Sequence, residues 1–172
     1  MKRIAIPVAA LSVATLASPP AQAAELFGGL YLHDIKSPLT HSDLEGGVDV
    51  HIGWRGGRIG PTPLQPYAFA AVNTAGETNY GAVGLSAKFG RQIYVRPGLG
   101  IALHTGSAGD FQRPDRIAFG SRILFAPEVA IGTHINDRVS VEASWVHMSH
   151  AQLFGRQNPG IDNVGVRLNL EF

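Results

Sequence analysis

Five segments of this chain alternate apolar with polar or small residues one by one, and that period fits only a strand with two unlike faces. The plainest is the last, where Val164, Val166, Leu168, Leu170 and Phe172 alternate with Gly165, Arg167, Asn169 and Glu171. In two others, Val48, Val50, Ile52 and Trp54 oppose Asp49, His51 and Arg55, and Ile93, Val95, Leu99, Ile101 and Leu103 oppose Arg96 and His104. Ile123, Phe125, Val129 and Ile131 oppose Arg122, Glu128 and His134, while Val139, Val141, Ala143 and Trp145 oppose Ser140, Glu142 and Ser144. Weaker segments at 26–33, 66–72 and 80–89 bring the expected strands to eight. Pro97 and Pro127 fall inside two of them, which predicts bulges or shortened strands there.

The first 23 residues have the form of an export signal. Lys2 and Arg3 precede an apolar stretch at 4–16, too short to span a bilayer, and Ala21-Gln22-Ala23 is a small-residue cleavage pattern. Removing them leaves residues 24–172, one domain, with the 14 basic residues reduced by Lys2 and Arg3 to 12 against 13 acidic ones. Nothing in that balance points to nucleic acid. An exported chain with no cysteine cannot lean on disulfides, so a core or a closed hydrogen-bonded sheet must hold it together.

A soluble sandwich and a membrane barrel share this alternation. The export signal, the even strand number and the rhythm of the connections favour the barrel. Segments 34–45, 105–116 and 150–158 are long, whereas 90–92 and 136–137 are tight turns, as in barrels with long outer loops and short periplasmic turns. The expected fold class is therefore all-β: an eight-stranded antiparallel transmembrane β-barrel of the outer-membrane type. Arg96, Arg122, Glu128, Arg167 and Glu171 are then lumen charge pairs, and Trp54 and Trp145 are lipid-contacting belt aromatics.

The apolar stripe of 139–145 runs on into His147 and Ser149, which the strand period places on the lipid-facing side. A strand tilted by about 45° climbs roughly 2.4 Å per residue, so His147 lies about 24 Å and Ser149 about 29 Å above the turn at Asp137. Counting back from Phe172, Asp162 shares the outward parity and also lies about 24 Å up. All three fall at the rim of an apolar band roughly 25 Å tall, where a lipid-facing charge costs only about 0–1 kcal/mol. A serine hydroxyl becomes nucleophilic when an imidazole can take its proton and a carboxylate orients that imidazole, the roles open to Ser149, His147 and Asp162. Asn158 and the backbone around Gly160 are the nearest donors for an oxyanion. The plain alternative is a rim with stray polar residues. His147 and His150 face opposite ways at i and i+3, so they do not form a metal pair.

The run Ser144-Trp145-Val146-His147-Met148-Ser149-His150-Ala151, followed by Asn158-Pro159-Gly160-Ile161-Asp162-Asn163 and a closing strand, resembles the PagL-type lipid A 3-O-deacylases. The resemblance implies an outer-membrane carboxylic ester hydrolase that removes the ester-linked 3-hydroxyacyl chain at position 3 of lipid A. It assigns the base to His147, the nucleophile to Ser149 and the family's loop Asn to Asn158; His150 and Gly160 stand beside Asn158 as further oxyanion or substrate-positioning candidates. Asp162 stands where the family typically has Glu, and His150 replaces an Asn that commonly follows the Ser. No metal or cofactor is expected. The expected partners are lipid A within lipopolysaccharide and the outer-membrane lipids, with a homodimer compatible with the fold; Arg156 reads first as a solvated loop charge and second as a contact for a lipid A phosphate. Rival readings are a structural or surface-binding barrel without activity, and acyl transfer by the same nucleophile.

Overall fold

The computed structural model describes residues 23–40, 43–109, 116–153 and 158–172. Residues 1–22 of the expected export signal, and Arg156, lie outside the described residues.

The strands are β1 (Glu25–Leu32), β2 (Val48–Arg55), β3 (Leu64–Asn73), β4 (Tyr80–Ala87, resuming at Phe89–Gly90), β5 (Ile93–His104), β6 (Ile123–His134), β7 (Val139–Met148) and β8 (Ile161–Glu171). Each pairs antiparallel with the next, and β1 pairs with β8 from Glu25↔Glu171 to Leu32↔Val164, so the sheet closes without an edge. The faces exclude a soluble sandwich. Outward Ile52, Leu99 and Leu168 are 69%, 59% and 55% exposed, whereas inward Arg55 and Arg96 are 0% exposed. An apolar coat around a charged interior is what hydrocarbon outside and no water within its depth require.

The bulges expected at Pro97 and Pro127 are absent. β5 and β6 pair in one register from Ile93↔Thr133 to Leu103↔Ile123, passing through Pro97↔Val129 and Leu99↔Pro127. Each proline lacks an N–H, and the ladder pauses on its other side instead of slipping. β4–β5 pairing stops at Ser86↔Gly98 and resumes at Phe89↔Val95; β6–β7 pairing stops at Glu128↔Val146 and resumes at Phe125↔Ser149.

The lumen is filled, and its charges form a ring. Glu25 pairs with Arg55 and Arg96 (2.8 Å each), Arg96 with Glu142 (3.0 Å), Glu142 with Arg167, Arg167 with Glu128 (3.1 Å), and Glu128 returns to Arg55 (3.7 Å). Lys88 pairs with Glu171 at 3.1 Å. The sequence-based pairs at Arg96, Glu128, Arg167 and Glu171 thus find partners, but Arg122 does not belong to them. It sits at the exposed approach to β6, and its guanidinium donates to the carbonyls of His104 and Gly106 (2.7 Å each). Phe27 lies between the guanidinium groups of Arg55 and Arg167, 5.0 and 5.1 Å from its ring centroid. Towards the outer end Ile117, Phe119, Leu124, Met148 and Ile161 form an apolar plug.

His33, beyond the end of β1, ties the outer loops together. Its Nδ1 is 2.9 Å from Asp49 and its Nε2 3.1 Å from Glu45, whose carboxylate also accepts the amides of Thr78 and Ile117 (3.1 Å each). Two carboxylate partners require both ring nitrogens to donate, hence an imidazolium. Burial works against that charge, but Asp49 and Glu45 outweigh it and raise the His33 pKa to about 9. Burial likewise opposes the charge on Glu45, yet His33, Thr78 and the Ile117 amide hold it below the usual carboxylate range.

Two outcomes are expected. Arg167→Met strips Glu128 and Glu142 of their shared partner and lowers unfolding stability by about 3–5 kcal/mol, measured by denaturant titration in detergent micelles. The folded-state pKa of His33 lies above its ordinary 6.5, so its contribution is complete below pH 6.5 and lost as pH rises through about 9. The melting temperature of wild type should exceed that of His33→Gln at neutral pH, and the gap should close above that point.

Candidate active site on the outer wall

β7 and β8 pair without a slip from Val139↔Leu170 to Met148↔Ile161, which sets His147 opposite Asp162. Strand parity turns Trp145 and His147 outward on β7, Ser149 outward one residue past its end, and Asp162 outward on β8. His147 Nδ1 lies 2.8 Å from Asp162 Oδ1, and His147 Nε2 lies 3.0 Å from Ser149 Oγ. An ionised carboxylate only accepts, so Nδ1 carries the hydrogen and donates to Asp162. That leaves Nε2 bare to accept from the Ser149 hydroxyl.

Asp162 is completely buried although it faces outward. Its Oδ1 also accepts Trp145 Nε1–H at 3.0 Å, and its Oδ2 accepts the hydroxyls of Ser37 and Thr40, the latter at 3.1 Å. Trp145 is therefore more than the belt aromatic its parity suggests; Trp54, 42% exposed, keeps the plain lipid-facing role. Ser37 and Thr40 come from the 33–47 connection. β8 outruns its partner by Ile161–Asn163, and the loop lies along that overhang: Ile35 N–H donates to the Asp162 carbonyl (2.8 Å) and Asp34 N–H to Asn163 Oδ1 (2.9 Å). The Asp34 carboxylate gathers the returning chain by accepting the amides of Asp43, Leu44 and Glu45 (3.0, 2.8 and 3.0 Å). The periodicity of the chain carries no hint of this contact, which spans 125 and 122 positions. The only local signal is a hydroxyl-capped turn at Ser37-Pro38-Leu39-Thr40, in which Ser37 Oγ accepts the amides of Leu39 and Thr40.

The remaining candidates fall on two sides of the wall. Asn158 Oδ1 accepts the amide of His150 at 2.9 Å, while the His150 side chain is wholly buried on the face opposite to His147. His150 therefore meets the site through its backbone, and that N–H is already engaged with Asn158. Gly160 has a φ of +67°, and a Cβ built on it would stand 3.1 Å from His147 Cε1 and 3.1 Å from Thr40 Cγ2. Register places Phe125 beside Ser149 and Pro127 beside His147, and Leu39 is 60% exposed on the covering loop. A shallow apolar groove lined by Ile131, Val141, Ala143 and Val166 lies lower on the same wall. Among the described residues no group of three or more His, Cys, Asp or Glu is arranged to hold a metal ion.

Fold and site together define an outer-membrane-type barrel that carries a hydrogen-bonded Ser, His and Asp on its lipid-facing surface. A family model for lipid A 3-O-deacylase (PagL) matches residues 42–171, and the chain belongs to that family. A crystal structure of the outer membrane enzyme PagL is similar at 16% identity and a TM-score of 0.59, covering 86% of this chain and 99% of that one. A de novo designed transmembrane β-barrel has the same TM-score at 10% identity, covering 91% of this chain and 100% of the design. The Yersinia pestis outer membrane protein Ail has a TM-score of 0.52 at 10% identity, covering 88% and 99%. These likenesses show the fold, which a designed barrel shares. No curated protein sequence matches the chain.

Gly160→Ala tests how tightly the site is packed. A methyl at a positive φ, pressed against the imidazole, should lower stability by about 1 kcal/mol and displace His147. The rate at which a phosphonate probe labels Ser149 should fall in this variant relative to wild type.

Proposed function

We propose that this chain is a lipid A 3-O-deacylase, a serine esterase that hydrolyses the ester-linked 3-hydroxyacyl chain of lipid A in the outer leaflet of the bacterial outer membrane. It is delivered there by an export signal at residues 1–23. The observation that carries this reading is the unbroken donor–acceptor chain from Ser149 through His147 to Asp162, on the wall that a membrane lipid can reach sideways. Family membership supplies the substrate class.

In this mechanism Ser149 Oγ attacks the ester carbonyl as its proton passes to His147 Nε2, and Asp162 stabilises the imidazolium through Nδ1–H. Asn158, with Oδ1 held by the His150 amide, presents Nδ2 to the oxyanion. Collapse breaks the bond to the sugar oxygen, which takes the proton from His147 and leaves an acyl-serine. Water, deprotonated by His147, then releases the 3-hydroxy acid and restores Ser149. Trp145, Leu39, Phe125 and Pro127 give the reacting ester an apolar surround, and the groove past Ala143 offers its hydrocarbon chain a place on the wall.

Mass spectrometry of lipid A from cells expressing the chain tests the reading. Loss of one 3-hydroxyacyl group, abolished by Ser149→Ala, is the expected result; a gain in mass would mean acyl transfer, and no change an inert barrel. Asp162→Asn should lower kcat by about 10³–10⁴-fold, because the imidazole loses its fixed tautomer.

A further inference from the structure

We propose that Ser37 and Thr40, in the loop that follows β1, are positioning residues for this reaction: their hydroxyls hold Asp162 Oδ2 so that Oδ1 stays aimed at His147. The inference rests on the esterase reading above. A carboxylate has two oxygens with about four acceptor positions, and here each oxygen meets two donors. His147 and Trp145 occupy Oδ1; Ser37 and Thr40 occupy Oδ2. The Asp162 side chain is 0% exposed, so protein donors and not bulk water satisfy its charge. A buried carboxylate oxygen left bare is costly, and the group relieves that cost by turning or by taking a proton. Either response breaks its alignment with Nδ1–H.

The two hydroxyls are delivered by a built turn. Ser37 Oγ accepts the amides of Leu39 (2.9 Å) and Thr40 (3.3 Å), which occupies its lone pairs and turns its hydrogen towards Asp162. Thr40 is fully buried, and its Oγ1 lies nearer to Asp162 Oδ2 (3.1 Å) than to the Ile35 carbonyl (3.4 Å). The loop is fastened independently by Asp34 and by the overhang of β8. Residues 37 and 40 also lie outside the 42–171 stretch that the family model matches. The clamp is therefore carried by a part of this chain that family membership does not describe.

Steady-state kinetics of the purified full barrel in detergent, with lipid A bearing the 3-O-linked hydroxyacyl chain, would test the clamp. Ser37→Ala combined with Thr40→Val, which keeps the shape of Thr40, should lower kcat about 10–100-fold with KM changed by no more than about twofold. Thr40→Ser, which keeps the hydroxyl, should stay near wild type. In an Asp162→Asn background the same pair should cost less than about threefold, since the groups act as a unit. A wild-type rate in the Ser37→Ala/Thr40→Val protein, or an equal loss in both backgrounds, overturns the clamp while leaving a Ser149-dependent esterase intact. A wild type whose activity survives Ser149→Ala overturns the esterase reading itself. Matching melting temperatures for Thr40→Ser and Thr40→Val separate lost orientation from lost folding.

Discussion

The ladder between β1 and β8 is the contact on which the rest of the molecule depends. Inside hydrocarbon a backbone N–H has only another strand to bond to, so the sheet must meet itself. Closure settles the register all the way round, and register settles which side chains point in and which out. On β7 and β8 that choice sets His147 opposite Asp162 with both facing lipid. A slip of one residue would send the carboxylate into the lumen.

Closure also creates two different problems of buried charge. Inside, Glu25, Glu128 and Glu142 alternate with Arg55, Arg96 and Arg167, so each ion has opposite neighbours and the interior needs no channel of water. Outside, among the described residues, Asp162 meets no guanidinium or ammonium, only the imidazole of His147. Its charge is instead spread over neutral donors, the indole of Trp145 and the hydroxyls of Ser37 and Thr40. Neutral donors satisfy a carboxylate without adding a second ion to the buried site.

The alternating segments carried most of the fold and the heart of the site, because period two is a local property and survives any tertiary arrangement. The meeting of His147, Ser149 and Asp162 was legible for that reason: parity put them on one face, and the β7–β8 register sets His147 opposite Asp162. Pro97 and Pro127 misled, since a missing N–H can be absorbed by a pause on one side of a strand as well as by a bulge. Trp145 was legible as outward but not as a donor to Asp162. Arg122 was placed inside by extending the β6 parity one residue ahead of Ile123, where the chain has not yet entered the strand.

What the amino-acid order determined by itself was the strand set, the two faces and the meeting of Ser149, His147 and Asp162 along neighbouring strands, since nearest-neighbour pairing and alternation are enough to fix them. What the tertiary structure alone decided was everything contributed by irregular chain. The loop over Asp162, the ring of lumen charges from six different strands and the loop hub at His33 all join residues far apart in sequence. Such contacts have no period, and only the closed barrel brings them within hydrogen-bond reach.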